Sequence, residues 1–156
     1  MKKVYQKIID KENGDCLRAV IASLLELEIE NIPLMNGVLG TNQFLEMNDF
    51  LKTKGLKFSP ISNISKEKDG IDFIDIAKYD GGINGYFYAS VNSQTFEDIG
   101  HAVIVDSNMN IVHDPNPNQL ALKLKPKDIN CIFVTKEIII SKGKIWEYEE
   151  YFKQKN

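Results

Sequence analysis

The sequence has few of the residues that bind structural metals or cross-link small proteins. Only two cysteines, Cys16 and Cys131, and two histidines, His101 and His113, occur among its 156 residues. Metal-binding cysteines and histidines usually come in close pairs, so these scattered residues predict no metal site and no cofactor. We expect both thiols to stay reduced, because disulfides persist mainly in oxidising compartments.

The sequence also has no excess of basic over acidic residues and no long apolar stretch. The formal net charge is −3, which predicts no binding to nucleic acid. No run approaches the length of a transmembrane helix, and residues 1–6 do not lead into the apolar stretch of a signal peptide. We therefore expect a cytoplasmic protein that does not insert into membranes. The length suits a single domain over residues 1–156, and the oligomeric state stays open.

Apolar periodicity divides the chain into an early helical part and a later part rich in strands. The spacing predicts a helix from about Cys16 to Leu27, capped by Asp15, and a second helix from Thr41 that ends at Gly55. The predicted strands are Leu56 to Phe58, Gly85 to Val91, His101 to Val105, Ile111 to Asp114 and Cys131 to Ile140. A final amphipathic helix is expected to contain Ile145, Trp146, Tyr148, Tyr151 and Phe152. Helices first and strands later indicate an α+β domain.

Cys16 stands at the predicted start of the first helix, directly after Gly14 and Asp15. Unpaired backbone amides and the helix dipole stabilise negative charge at such a position. A thiolate formed there is a usable nucleophile. The alternative is a small buried helix residue, which is the commoner fate of a single cysteine.

His101 opens a predicted strand that returns as a hairpin to Asp114. If Val105 pairs with Asn110 in that hairpin, His101 lies directly opposite Asp114, with Cβ atoms about 5 Å apart. A slip of one residue would place His113 there instead. A cysteine, a histidine base and a carboxylate that orients the base form a catalytic triad. The alternative for His101 is a structural histidine.

Three segments taken together resemble the papain-like cysteine peptidase superfamily. In chain order they are Gly14-Asp15-Cys16 opening a helix, Gly100-His101-Ala-Val-Ile-Val, and His113-Asp114-Pro115. Within the superfamily, the sequence resembles the bacteriocin-processing double-glycine leader peptidases. It resembles still more closely small phage and bacterial papain-like proteins with a Cys-Leu-Arg-Ala helix and a His-Asp-Pro-x-Pro segment. The likeness extends over residues 6–31 and 85–117.

The resemblance implies a papain-like fold, in which the helix with the cysteine packs on an antiparallel sheet that carries the histidine. It implies Cys16 as the nucleophile, His101 as general base and acid, and Asp114 as the residue that orients His101. It also implies an oxyanion hole made by the Cys16 backbone amide and an upstream glutamine, for which the sequence offers Gln6. Asn13 is the alternative side-chain donor.

The expected function is that of a cysteine-dependent hydrolase, a peptidase or amidase, that acts on a peptide or protein through a thioester intermediate. A transferase or deamidase with the same triad differs only in its leaving group and acceptor. The third alternative is a catalytically idle binding protein, such as a phage-type modulator on the same scaffold, because fold does not dictate function. An enzyme needs a reactive cysteine, whereas an idle scaffold does not.

Overall fold

The structure, a computed structural model, describes residues 1–34, 40–62, 72–141 and 143–155. The helices within these ranges are α1 (Cys16–Leu25), α2 (Gly40–Lys52), α3 (Phe73–Asp80) and α4 (Tyr148–Lys155). The strands are β1 (Ser59–Ser62), β2 (Tyr86–Asn92), β3 (Gly100–Asp106), β4 (Ile111–His113), β5 (Ile129–Val134), β6 (Ile138–Ser141) and β7 (Lys144–Glu147). None of these helices has the length and apolar character needed to cross a membrane.

An antiparallel sheet of five strands forms the centre of the fold, in the order β1-β5-β2-β3-β4. β6 and β7 pair in a separate two-stranded sheet. Helix α1 lies across β3 and β2 and carries Cys16 at its first position. The expected α+β class is confirmed at this level: a helix near the N-terminus carries the cysteine and packs on an antiparallel sheet.

The two faces of the central sheet are both covered, which explains why its middle strands are almost continuously apolar. Successive strand side chains point to opposite faces. In β3, Ile104 packs in the cluster that includes most of α1, whereas Val103 and Val105 pack in the cluster that includes α3. The helix α1 is itself buried along most of its length, so packing more than helix propensity holds it in place.

Two element predictions near the C-terminus are wrong. The run from Cys131 to Ile140 is not one strand, because the backbone amides of Thr135 and Lys136 donate to the Asp80 carboxylate at 3.0 and 2.9 Å and interrupt the strand there. The expected final helix is also divided. Ile145 and Trp146 belong to β7, and α4 begins only at Tyr148.

The predicted strand from Leu56 to Phe58 is also wrong, since β1 begins one residue later, at Ser59. The Asn48 side chain forms hydrogen bonds with both backbone groups of Phe58. It accepts from the amide and donates to the carbonyl, at 3.0 Å each. Those groups are therefore not available to a neighbouring strand. The helix α3 was not among the sequence predictions.

The hairpin register differs from the predicted one. Ile104 pairs with His113 and Val105 pairs with Ile111, and the register shifts between the two pairs. Asn110 stays in the turn, where its amide donates to the Asp106 carboxylate at 3.0 Å. The predicted pairing of Val105 with Asn110 is therefore wrong, and Asp114 follows the end of β4 instead of facing His101 across the ladder.

Candidate active site

The turn before α1 sets the position of Cys16. The Gly14 amide donates to the Asp10 carbonyl at 3.0 Å. A Cβ atom at Gly14 would lie only 2.6 Å from that carbonyl oxygen, so the turn closes only around a glycine. The first bond of the helix then runs from the Ala19 amide to the Asp15 carbonyl at 3.0 Å. Cys16 follows directly, half-buried, among the helix amides that have no partner within the helix.

Asp15 does not cap α1 with its side chain, contrary to the sequence prediction. Its buried carboxylate accepts hydrogen bonds from the backbone amides of Lys7 and Ile8 at 3.0 and 2.9 Å. It also lies 3.7 Å from the Arg18 guanidinium. An aspartate before a helix already has a local explanation as a cap, so local patterns do not indicate this link to the N-terminal segment.

His101 and Asp114 are in direct contact: His101 Nε2 lies 2.6 Å from Asp114 Oδ1. The Asp114 carboxylate is fixed from both sides. Its Oδ1 accepts from the Asn116 amide and its Oδ2 from the Ala121 amide, each at 2.9 Å. With only 2% of Asp114 exposed, this carboxylate is held rigidly against the imidazole ring.

The Cys16 thiol lies close enough to the His101 ring to affect its pKa. Burial by itself lowers the pKa of His101, but the hydrogen bonds and negative charges of Asp114 and Cys16 outweigh it and raise the pKa to about 9. Burial raises the pKa of Asp114, yet the bonds from His101 and the two backbone amides bring it below its ordinary value. The site therefore favours an imidazolium beside a carboxylate at neutral pH.

The two candidate oxyanion donors both make local contacts. Gln6 is buried, and its Nε2 donates to the Ile8 carbonyl at 2.8 Å. An amide nitrogen carries two hydrogens, and this bond uses one of them. Within the described residues, Gln6 Oε1 is a buried atom without a hydrogen-bond partner. The Asn13 side chain bonds to the Asp10 carboxylate.

His113 lies apart from this arrangement. Its Nε2 is 2.7 Å from the Val4 carbonyl, and its ring meets Tyr5 edge-on with centroids 5.1 Å apart. Burial lowers the pKa of His113, so the ring stays neutral and donates to that carbonyl. The Gln6 amide donates to the Pro115 carbonyl at 2.9 Å. These bonds attach the N-terminal segment to the turn that carries Asp114.

A cavity of about 630 Å³ opens beside the cysteine and the histidine. Its lining includes Cys16 and His101, together with the aromatic side chains of Phe44, Tyr88 and Phe133. Burial, together with the negative charge that the nearby Cys16 and Cys131 carry as thiolates, raises the pKa of Tyr88 and keeps its hydroxyl neutral. Sequence reasoning missed this cavity, because residues from α2, β2 and β5 look like core residues when each element is considered by itself.

The structure thus brings Cys16, His101 and Asp114 together. Gln6 is not among the residues that line the cavity. Among the described residues, no group of three or more histidine, cysteine, aspartate or glutamate side chains is arranged to hold a metal ion.

Comparisons with protein-family models, with curated proteins and with solved structures found no match to this chain. The function proposed below therefore rests on the chemistry of its own residues.

Proposed function

We propose that this protein is a papain-like cysteine hydrolase, a peptidase or amidase, with Cys16 as the nucleophile. The observation that carries the proposal is that Cys16 and His101 line one cavity, while His101 bonds to the buried Asp114 carboxylate. A nucleophile, its base and a group that orients the base are the parts required for covalent acyl transfer.

The first half-reaction forms a thioester. His101 takes the thiol proton and becomes an imidazolium stabilised by Asp114. The Cys16 sulfur then attacks the substrate carbonyl carbon, and the electron pair of the C=O bond moves to the oxygen. The Cys16 backbone amide donates to this oxyanion, and the second hydrogen of the Gln6 side-chain amide is the candidate for the other donor, with Asn13 as the alternative. When it collapses, the C–N bond breaks and His101 gives its proton to the leaving amine.

The second half-reaction releases the acyl group. A water molecule gives a proton to His101 while its oxygen attacks the thioester carbonyl. The C–S bond then breaks, and the sulfur leaves as a thiolate beside the imidazolium. The carboxylic acid product departs, and the enzyme returns to its starting state.

The test is a panel of short peptidyl and acyl amides with a fluorogenic amine as the leaving group. We expect wild-type protein to release the amine and the Cys16→Ala variant to release none above the uncatalysed rate. Intact-protein mass spectrometry should show one acyl group on Cys16, removable by hydroxylamine as a hydroxamate. Equal release by Cys16→Ala, or no acyl-protein with any amide, would contradict the proposal.

The same experiment separates the alternatives with this triad. A transferase gives more amide product than acid when a second amine is added as acceptor, whereas a hydrolase gives mainly acid. A deamidase releases ammonia from a glutamine-containing peptide. A binding protein without activity gives neither product nor acyl-protein.

A further inference from the structure

The cavity beside Cys16 has an aromatic wall. The rings of Tyr88 and Phe133 are stacked, with centroids 3.8 Å apart and planes 3° from parallel. The two residues are cross-strand neighbours in β2 and β5. Phe44 of α2 contacts Phe133 with a centroid distance of 5.2 Å. Helix and sheet thus present flat apolar surfaces to the same space.

This wall adjoins the reactive atoms. Cys16 and Leu17 of α1 line the cavity together with the aromatic residues, and so do His101 and Ala102 of β3. A group inside the cavity is therefore close to a carbonyl carbon bonded to the Cys16 sulfur. The charged side chains of the lining come from loops, and include Asp10, Lys11 and Asp98.

We propose that the acyl part of the substrate carries an aromatic ring or an apolar group of similar bulk, which binds against Phe44, Tyr88 and Phe133. This inference rests on the proposed function. Apolar surface removed from water favours binding roughly in proportion to its area. A bulky group that fills a cavity of about 630 Å³ therefore binds more tightly than a small one. The acyl part remains on the sulfur through both half-reactions, so contacts to it act on thioester formation and on hydrolysis.

The proposal departs from what the double-glycine leader peptidases suggest. A substrate with glycines before the cleaved bond has no side chain to place in such a cavity. The part of the cavity lined by Phe44, Tyr88 and Phe133 would then have no substrate group against it. The described cavity accordingly favours a bulky acyl group over a glycine pair.

The test compares two esters with the same leaving group, p-nitrophenyl acetate and p-nitrophenyl 3-phenylpropanoate. The rate of p-nitrophenolate release is measured for each, and mass spectrometry locates the acyl group. The ratio of the two rates is divided by the ratio for N-acetylcysteine, which removes the intrinsic reactivity of the esters. We expect the phenylpropanoyl ester to acylate Cys16 at least about 10-fold faster on this scale, the size of effect that apolar pockets give.

Phe44→Ala should lower this ratio by about 10-fold, and Phe44→Leu by less, because leucine keeps most of the apolar surface. Phe50→Ala is the matched control, since Phe50 is a half-buried phenylalanine of the same helix that does not line the cavity. This control should keep the wild-type ratio.

The outcomes separate the two proposals. If neither ester acylates Cys16, the proposed function is overturned, and this inference with it. If both esters acylate Cys16 but the corrected ratio is near one, or if Phe44→Ala and Phe50→Ala change it equally, only the aromatic acyl site is overturned.

Discussion

His101 Nε2 lies 2.6 Å from Asp114 Oδ1, although the two residues are not partners in the β3–β4 ladder. Asp114 follows the end of β4, and its carboxylate is turned toward the ring by the amides of Asn116 and Ala121. The contact thus depends on the turn after the strand rather than on strand pairing. Because this carboxylate helps to raise the pKa of His101 to about 9, it affects the pH range over which the site works.

Replacing Asp114 should change the alkaline limit of activity. His101 must be protonated to give a proton to the leaving amine, so we expect kcat/KM of wild-type protein to fall as pH rises through about 9. Asp114→Asn removes the charge that raises this pKa, and the alkaline limb should move to lower pH. Turnover at neutral pH should fall at least about 100-fold. The measurement is a pH profile of kcat/KM for both proteins.

His113→Ala is the contrasting variant. His113 is buried and donates to the Val4 carbonyl, so its removal should lower the free energy of unfolding by about 2–4 kcal/mol. The pH limits of kcat/KM should stay where they are in wild-type protein. If Asp114→Asn matches wild type and His113→Ala loses the alkaline limb, the two residues have exchanged roles and the triad must be redrawn.

His113 itself makes stability dependent on pH. Burial lowers its pKa from 6.5 in the folded protein, so the unfolded chain binds the proton more readily. The contribution of neutral His113 is fully present above pH 6.5 and is lost as pH falls below that value. Urea unfolding at pH 7.5 and 5.5 should show a smaller pH effect in His113→Ala than in wild type. An equal effect in both proteins would count against this role.

The oxyanion donor can be identified by comparing Gln6→Ala with Asn13→Ala. Loss of one donor to the oxyanion should lower turnover by about 100-fold or more. Alkylation of Cys16 by iodoacetamide forms no oxyanion on a carbonyl and should stay nearly unchanged in Gln6→Ala. Normal turnover in Gln6→Ala, together with a loss in Asn13→Ala, would assign the donor to Asn13.

The turn before Cys16 should not tolerate a side chain at Gly14. A Cβ atom there would approach the Asp10 carbonyl oxygen to 2.6 Å, so Gly14→Ala forces the turn open and moves the start of α1. We expect slower alkylation of Cys16 and a loss of about 1–3 kcal/mol in stability. Glu12→Ala, at an exposed position of the same turn, should change neither quantity. Equal effects of both variants would show that Gly14 has no special part in placing the thiol.

The two cysteines should differ in reactivity. Cys16 lies at a helix start beside His101, whereas Cys131 is half-buried in β5, with its Sγ 3.7 Å from the Ile132 carbonyl. Limited iodoacetamide at neutral pH should label Cys16 far faster than Cys131, as measured by mass spectrometry of the peptides. Labelling at equal rates, or at Cys131 alone, would remove the assignment of Cys16 as nucleophile.

Local signals were sufficient to predict part of this structure and site. Cys16 was correctly placed because helical spacing and the Gly14-Asp15 pair mark the helix start in a few neighbouring residues. The contact between His101 and Asp114 was predicted, but through a register that is wrong, since apolar patterning marks neither the register shift near Val105 nor the bonds of the Asp106 carboxylate within the turn.

Other features could not be read from local patterns because they join distant parts of the chain. Asp15 binds the amides of Lys7 and Ile8, and Asp80 binds amides 55 and 56 residues away. The cavity wall combines α2, β2 and β5. In each case the residue type agrees with a simpler local role, such as a helix cap or an apolar core position.

The activation of Cys16 by His101 is tested by the pH dependence of Cys16 alkylation in wild-type protein and in His101→Gln. If His101 stabilises the thiolate, wild-type Cys16 should react with iodoacetamide at a nearly constant rate well below neutral pH. In His101→Gln the rate should instead rise with a midpoint of roughly pH 8.5, as for an ordinary thiol. Superimposable curves for the two proteins would contradict the claim that His101 activates Cys16.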